Sequence, residues 1–101
     1  MPDLEIQIEG SPQDPHLVLR GEVDVSTVVA LRTAVDELAR PQLERLTLDF
    51  SEVTFMDSTG LGWLAGLARN GCSVSLQSVS PSIRKLLGIT GIDGVVSVAD
   101  G

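Results

Sequence analysis

The chain has 101 residues, of which 43% are hydrophobic and only 3% aromatic, so its size and apolarity fit one compact domain with a core of aliphatic side chains. Fourteen acidic side chains against seven basic ones give a formal net charge of -7, and this excess opposes binding to nucleic acid or to anionic lipid headgroups. Because the N-terminal residues lack the pattern of a secretory signal and no apolar run approaches the roughly 20 residues of a membrane span, we expect a single cytoplasmic domain over residues 1–101, without membrane insertion.

The first third of the chain predicts a hairpin followed by a helix. Alternating apolar and polar residues predict strands at 4–9 (LEIQIE) and 17–19 (LVL), which the turn-rich segment between them would join in antiparallel fashion. From Val28 to Leu38 the apolar spacing changes to three and four residues, which predicts an amphipathic helix. Ser26 or Thr27 is the expected N-cap of that helix.

The rest of the chain alternates strand patterns with helix patterns. The predicted elements are a strand at 46–50 (LTLDF), a helix over 61–68 that stops at Asn70-Gly71, a strand at 73–76 (SVSL), a helix capped by Ser80 ahead of Pro81, and a strand at 95–98 (VVSV). The order is β-β-α-β-α-β-α-β, an α/β domain with a mixed, mostly parallel sheet. Because polar residues alternate with apolar ones in the strands, we expect the helices to lie mainly on one face.

Two polar loops follow strands in this arrangement. The first contains Gly21, Glu22, Asp24 and Ser26 after the second strand, and the other is Asp57-Ser58-Thr59-Gly60 after the third strand. Because the carboxyl ends of parallel strands meet at the same edge of a sheet, we expect the two loops to lie close together.

Two interpretations of Ser58 are open from the residues alone. In the first, Ser58 is the N-cap of the following helix and its Oγ accepts a hydrogen bond from an N–H two or three residues on. In the second, Ser58 is an exposed hydroxyl that receives a phosphate, which the helix dipole and free N–H groups would stabilise. That phosphate would add roughly -1.5 to -2 charges beside Asp57.

Other chemistries find little support in the sequence. A hydrolase would need a base for Ser58, and His16 is the only histidine and lies in the hairpin region, while the G-x-S-x-G motif is missing. Asp24 and Asp57 as Mg²⁺ ligands or acid-base groups are a minor alternative, and no glycine-rich phosphate loop is present, so we predict no catalytic residue, metal or cofactor. The single cysteine, Cys72, is expected to be a small buried hydrophobe.

Gly60, Gly62 and Trp63, in and just before the predicted helix over 61–68, could serve either packing or partner binding. Gly60 and Gly62 would permit either close packing of the backbone or the approach of a partner. Trp63 lies one position off the apolar stripe through Leu61 and Leu64, so roles at the edge of the core and at an interface are equally open.

The segment LTLDFSEVTFMDSTGLGWLAGLAR, together with LVLRGEVDVSTVVALRTAV and VSPSIRKLLGITGID, resembles the STAS domain family in its anti-sigma factor antagonist branch. The resemblance implies that the unphosphorylated protein binds an anti-sigma factor with serine kinase activity and thereby frees the sigma factor. It also implies that phosphorylation of Ser58, with Thr59 as the alternative site, ends this binding until a phosphatase restores it. The residues that it implies for partner binding are Gly21, Glu22, Asp24, Ser26, Asp57, Ser58, Thr59, Gly60, Leu61 and Trp63.

Two functions from other classes remain as alternatives. A STAS scaffold subunit of a transport or signalling complex would use the same fold without the phosphorylation switch, and a small enzyme would depend on Asp24 and Asp57. The chain also departs from the family pattern, because Thr59 stands where the family often has a second serine and no further helix follows the last predicted strand.

Overall fold

The computed structural model describes residues 4–38 and 43–99, and its elements follow the predicted order. The strands are β1 (Leu4–Ser11), β2 (Asp14–Val23), β3 (Arg45–Met56), β4 (Ser73–Gln77) and β5 (Ser97–Val98). The helices are α1 (Val28–Leu38), α2 (Ser58–Arg69) and α3 (Pro81–Thr90), and a 3₁₀ turn spans Ile92–Gly94. The predicted α/β class and order of elements are therefore confirmed.

The five strands form one mixed sheet in the order β1-β2-β3-β4-β5. β1 pairs antiparallel with β2, whereas β2–β3, β3–β4 and β4–β5 are parallel pairs. Each parallel strand lies beside the previous one, so successive right-handed crossovers place α1, α2 and α3 on the same face. The opposite face carries the polar alternate residues, as the sequence pattern predicted.

β3 extends six residues beyond its predicted end. The prediction stopped early because two irregularities in pairing interrupt the alternation of apolar and polar residues. Between the pairs Val18↔Asp49 and Arg20↔Glu52, β3 advances one residue more than β2, and a second shift follows Gly21. Such β-bulges bend a strand and change which face its side chains occupy. The hairpin is also longer and tighter than predicted, since β1 and β2 pair as far as Ser11↔Asp14.

The core lies between the sheet and the three helices. Alternate residues of the central strands are buried, among them Leu17, Leu48 and Leu76, which are all fully inaccessible to solvent. They pack in one cluster with residues of the helices such as Leu31 and Leu64. Burial of these aliphatic side chains provides the main driving force for folding.

The ends of the helices follow local sequence signals. Asn70 forms the C-cap of α2 and Gly71 has a φ of +91°, while Ser80 caps α3 by accepting a hydrogen bond from the Ile83 N–H at 3.3 Å. The predicted strand at 95–98 is too long, because the N–H groups of residues 95 and 96 donate to the Ile92 carbonyl and only Ser97–Val98 pairs with β4.

Candidate functional site

The two polar loops meet at the carboxyl ends of β2 and β3. Val23 pairs with Met56 at the end of this ladder, and the Asp57 N–H donates to the Val23 carbonyl at 3.1 Å. Asp24 and Asp57 are thus the first residues beyond neighbouring parallel strands. Here we name residues 21–26 and 57–59 the loop surface.

In the first loop, the Asp24 carboxylate accepts four hydrogen bonds through Oδ1 from the next residues. Its donors are the Ser26 hydroxyl at 2.7 Å, the Ser26 N–H at 2.9 Å, the Thr27 N–H at 3.1 Å and the Thr27 hydroxyl at 3.3 Å, which it shares with the Glu22 carbonyl. The Ser26 hydroxyl, with support from the two backbone donors, lowers the pKa of Asp24, although partial loss of water opposes this effect. Asp24 is therefore a carboxylate at neutral pH.

The prediction that Ser26 or Thr27 caps α1 is wrong, because neither hydroxyl accepts a hydrogen bond from an N–H group of that helix, which is described over its whole length. The Ser26 hydroxyl donates to Asp24, and the Thr27 hydroxyl donates to the Glu22 carbonyl at 2.8 Å while its oxygen accepts from the Asp24 N–H at 2.9 Å. Both side chains hydrogen-bond within the loop, where the Asp24 carboxylate accepts from Ser26 and the Glu22 carbonyl accepts from Thr27. Thr27 is fully buried as a result of this role.

The second loop repeats the same design around Asp57. Its Oδ1 accepts from the Thr59 N–H at 2.9 Å, the Gly60 N–H at 3.3 Å and the Thr59 hydroxyl. The Asp57 N–H donates to the Val23 carbonyl, so this loop is tied to the end of β2 where the first loop begins. The Thr59 hydroxyl is the main cause of the lowered pKa of Asp57, and the backbone donors act in the same direction against some desolvation.

Asp57, and not Ser58, is therefore the N-cap of α2, so the capping interpretation of Ser58 is wrong. Ser58 is the first helical residue and is exposed, and within the described part of the chain its hydroxyl makes no hydrogen bond. The expectation that free N–H groups would stabilise a phosphate on Ser58 is also wrong for Thr59 and Gly60, whose amides already donate to Asp57.

Other predicted site residues are placed at the edge of the loop surface or inside the core. Gly21 lies in β2 with a φ of +122°, where glycine fits without strain, and Glu22 is half-buried beside it. Gly60 and Leu61 are buried, and a Cβ on Gly60 would approach Val23 Cγ1 to 2.8 Å. Their expected part in partner binding stays a prediction, and the structure gives them a packing role.

A groove between α1 and α2 opens beside the loop surface, and the sequence analysis did not identify it. The helix groove has a volume of about 600 Å³, and Val25, Val29, Gly62, Trp63 and Gly66 are among its lining residues. Trp63 is only 8% exposed, so it belongs to the core and also forms part of this groove. The signal in the sequence was Val29, an apolar residue outside the buried stripe of α1, together with Val25 in the polar loop before that helix.

His16 and Ser58 lie far apart in the structure. His16 lies on β2 seven residues before Val23, roughly 20 Å from Ser58 at the rise of a strand, so it cannot serve as its base. Among residues 4–38 and 43–99, no group of three or more His, Cys, Asp or Glu side chains is placed to hold a metal ion. No helix in those ranges is long and apolar enough to cross a membrane.

Comparison with known proteins finds a family model and curated relatives that match nearly the whole chain. The family model described as "Mlab, STAS domain" matches residues 6–97. The anti-sigma F factor antagonist of Paenibacillus polymyxa is 30% identical over 104 residues, which cover 96% of this chain and 89% of that protein.

Solved structures share the fold at lower identity. An anti-sigma factor antagonist from Mycobacterium paratuberculosis superposes with a TM-score of 0.84 at 24% identity, covering 100% of this chain and 90% of its own. The Bacillus cell fate determinant SpoIIAA in its phosphorylated form superposes with a TM-score of 0.72 at 24% identity, covering 95% of this chain and 92% of its own.

Proposed function

Because the chain belongs to the STAS domain family, whose model matches it over residues 6–97, we propose that it is an anti-sigma factor antagonist controlled by phosphorylation of Ser58. It acts in the cytoplasm as a regulatory binding protein and not as an enzyme. In its unphosphorylated form it binds an anti-sigma factor that is also a serine kinase, which releases the sigma factor. Its similarity to proteins named as anti-sigma factor antagonists supports this proposal.

The observation that carries the proposal is the contrast between two neighbouring hydroxyls. The Thr59 hydroxyl donates to the Asp57 carboxylate, whereas the exposed Ser58 hydroxyl has no hydrogen bond to any described residue. A kinase can therefore reach Ser58 without breaking the cap of α2. Phosphorylation of Thr59 would require loss of its bond to Asp57 first.

Ser58 contributes only its hydroxyl to phosphoryl transfer, and the kinase must supply the ATP and the base. The Ser58 Oγ attacks the γ-phosphorus of ATP held by the anti-sigma kinase, the bond to the bridging oxygen of ADP breaks, and the hydroxyl proton passes to a base of the kinase. Phosphoserine then adds about -1.5 to -2 charges beside the ionised Asp57. Repulsion from the nucleotide phosphates of the kinase would favour release of the product.

The test is incubation of the protein with Mg-ATP and each purified anti-sigma kinase of its source organism, followed by site-resolved mass spectrometry and calorimetric titration. We expect phosphate on Ser58 together with loss of the complex. Ser58→Ala should stay bound in the presence of ATP, and Ser58→Glu should bind weakly because it adds charge at the same place. A phosphatase that removes the phosphate should restore binding.

Ser82 offers a matched control, because it is an exposed serine near the start of a different helix, α3. Ser82→Ala should be phosphorylated and released like the wild type. The proposal fails if wild type, Ser58→Ala and Ser58→Glu bind a kinase equally under all conditions. Binding without phosphorylation would point to an antagonist or scaffold that lacks the switch.

A further inference from the structure

The helix groove presents apolar surface that the fold itself does not cover. Val25 is 68% exposed and Val29 is 59% exposed, and both line the groove together with Trp63. Of the large hydrophobic side chains exposed in the described ranges, only these two belong to this groove. Val25 lies in the turn before α1 and Val29 in the first turn of the helix, so the two side chains meet at the same end of the groove.

The floor of the groove is open because of two glycines in α2. Gly62 and Gly66 lie four residues apart, and no atom lies within 4 Å of the place where a Cβ would be on either of them. Glycine weakens a helix relative to alanine, and packing within the domain does not explain its presence here. Gly60 differs, since the contacts around it leave no room for a side chain.

The groove is continuous with the loop surface. Val25 follows Asp24 directly and Thr59 follows Ser58, and both Val25 and Thr59 are part of the groove lining. A protein large enough to cover Ser58 would therefore also cover the end of the groove that these two residues form.

The charges of the loop surface determine what kind of contact can hold a partner that phosphate releases. Glu22, Asp24 and Asp57 make this surface acidic before any modification. A partner held mainly by basic groups would bind the phosphorylated protein more tightly, because phosphoserine adds negative charge. Release on phosphorylation therefore requires that much of the affinity come from contacts that do not depend on this charge.

We infer that the helix groove receives apolar side chains of the anti-sigma kinase, and that these contacts provide much of the affinity of the unphosphorylated complex. This inference rests on the proposed function and adds the chemistry of the partner. The kinase presents apolar side chains that pass over Gly62 and Gly66 between Val29 and Trp63. Phosphoserine at the adjacent loop then weakens the complex by electrostatic repulsion, because the added charge does not strengthen the apolar contacts.

The experiment uses the single tryptophan of the chain as a probe inside the groove. Protein labelled with 5-fluorotryptophan gives one ¹⁹F resonance, from Trp63, which is titrated with each purified anti-sigma kinase while calorimetry measures the affinity. Gly62→Leu fills the groove and Val29→Ser removes part of its apolar wall. Gly88→Leu is the matched control, because Gly88 is an exposed helical glycine on α3, outside the groove.

We expect the Trp63 resonance to shift on binding, and Gly62→Leu to weaken binding by about tenfold or more, as loss of a central apolar contact does. Val29→Ser should weaken binding to a smaller extent, and Gly88→Leu should match the wild type. Because Gly62 and Val29 are exposed, both variants should keep the far-UV circular dichroism of the wild type.

The inference is overturned, while the proposed function stands, if a kinase binds and phosphorylates Ser58 but the resonance does not shift and Gly62→Leu binds normally. Dimerisation of the protein alone that Gly62→Leu abolishes would also overturn it, since a second copy would then occupy the groove. Failure of every kinase to bind the wild type overturns both the inference and the proposed function.

Discussion

Two glycines of α2 separated by a single residue should respond in opposite ways to alanine. At Gly60 a new Cβ would lie 2.8 Å from Val23 Cγ1, which is closer than such atoms pack, and 3.1 Å from Met56 Cγ, which is a tight contact. At Gly62 no atom lies within 4 Å of the new Cβ. The same substitution therefore tests core packing at one position and helix propensity at the other.

The expected magnitudes follow from these contacts. Overpacking at Gly60 costs about 1 to 3 kcal/mol, and better helix propensity returns up to about 1 kcal/mol. Gly60→Ala should therefore lower the free energy of unfolding, and Gly62→Ala should raise it by about 0.5 to 1 kcal/mol. For a domain of this length, each kcal/mol shifts the Tm by about 4 to 8 °C.

The assay is urea denaturation followed by circular dichroism, with thermal unfolding as a second measurement. Val23→Ala removes the atom nearest to the new Cβ, so the double variant Gly60→Ala with Val23→Ala should lose less stability than the sum of the two single variants. The packing argument is refuted if Gly60→Ala is as stable as the wild type, or if the losses in the double variant simply add. A Gly62→Ala protein less stable than the wild type would refute the claim of open space.

Three further outcomes follow from the site and the core. Asp57→Ala should lower the Tm because it removes the cap of α2, whereas Ser58→Ala should not; equal losses would contradict the capping assignment. The folded pKa values of Asp24 and Asp57 lie below their ordinary value of 3.8, so their contribution to stability is present above that value and lost as the pH falls through the lower folded values. Urea midpoints should therefore fall on acidification below about pH 4, and Asp57→Asn should show a shallower fall; a loss confined to neutral pH would contradict this. Burial raises the pKa of the Cys72 thiol, so thiol reagents at mildly alkaline pH should label it slowly in the folded protein and quickly in urea, and fast labelling of the folded protein would show the burial to be wrong.

Hydrogen-bond competition explains the errors at the two loops. From the sequence, Ser58, Ser26 and Thr27 all have residue types suited to an N-cap. In the structure, Asp57 is the N-cap of α2, and Asp24 accepts from Ser26 and Thr27 in the turn before α1, because a carboxylate accepts several N–H and O–H groups at once. Competing acceptors within three residues of each other cannot be ranked without their backbone geometry.

The shortened prediction for β3 has a different cause. The alternation LTLDF ends where two bulges shift the register against β2, and each shift moves later side chains to the other face. Val53 is buried between the two shifts, where unbroken alternation would expose it, and Met56 is buried again after the second shift. A bulge depends on pairing with another strand, so a pattern read along one strand does not reveal it.

The amino-acid pattern was enough to predict the α/β class, the order of elements, the mixed sheet with its helices on one face, and the meeting of two acidic loops at one edge. These features follow from local periodicity and from the handedness of crossovers, which act through neighbours in the chain. Three features became visible in the folded chain alone: Ser58 is free while Thr59 is bound, Gly60 is packed while Gly62 is open, and a groove lies between α1 and α2. The first depends on the backbone geometry of the loop at Asp57, and the other two depend on distances between residues of different elements, which spacing along the chain does not specify.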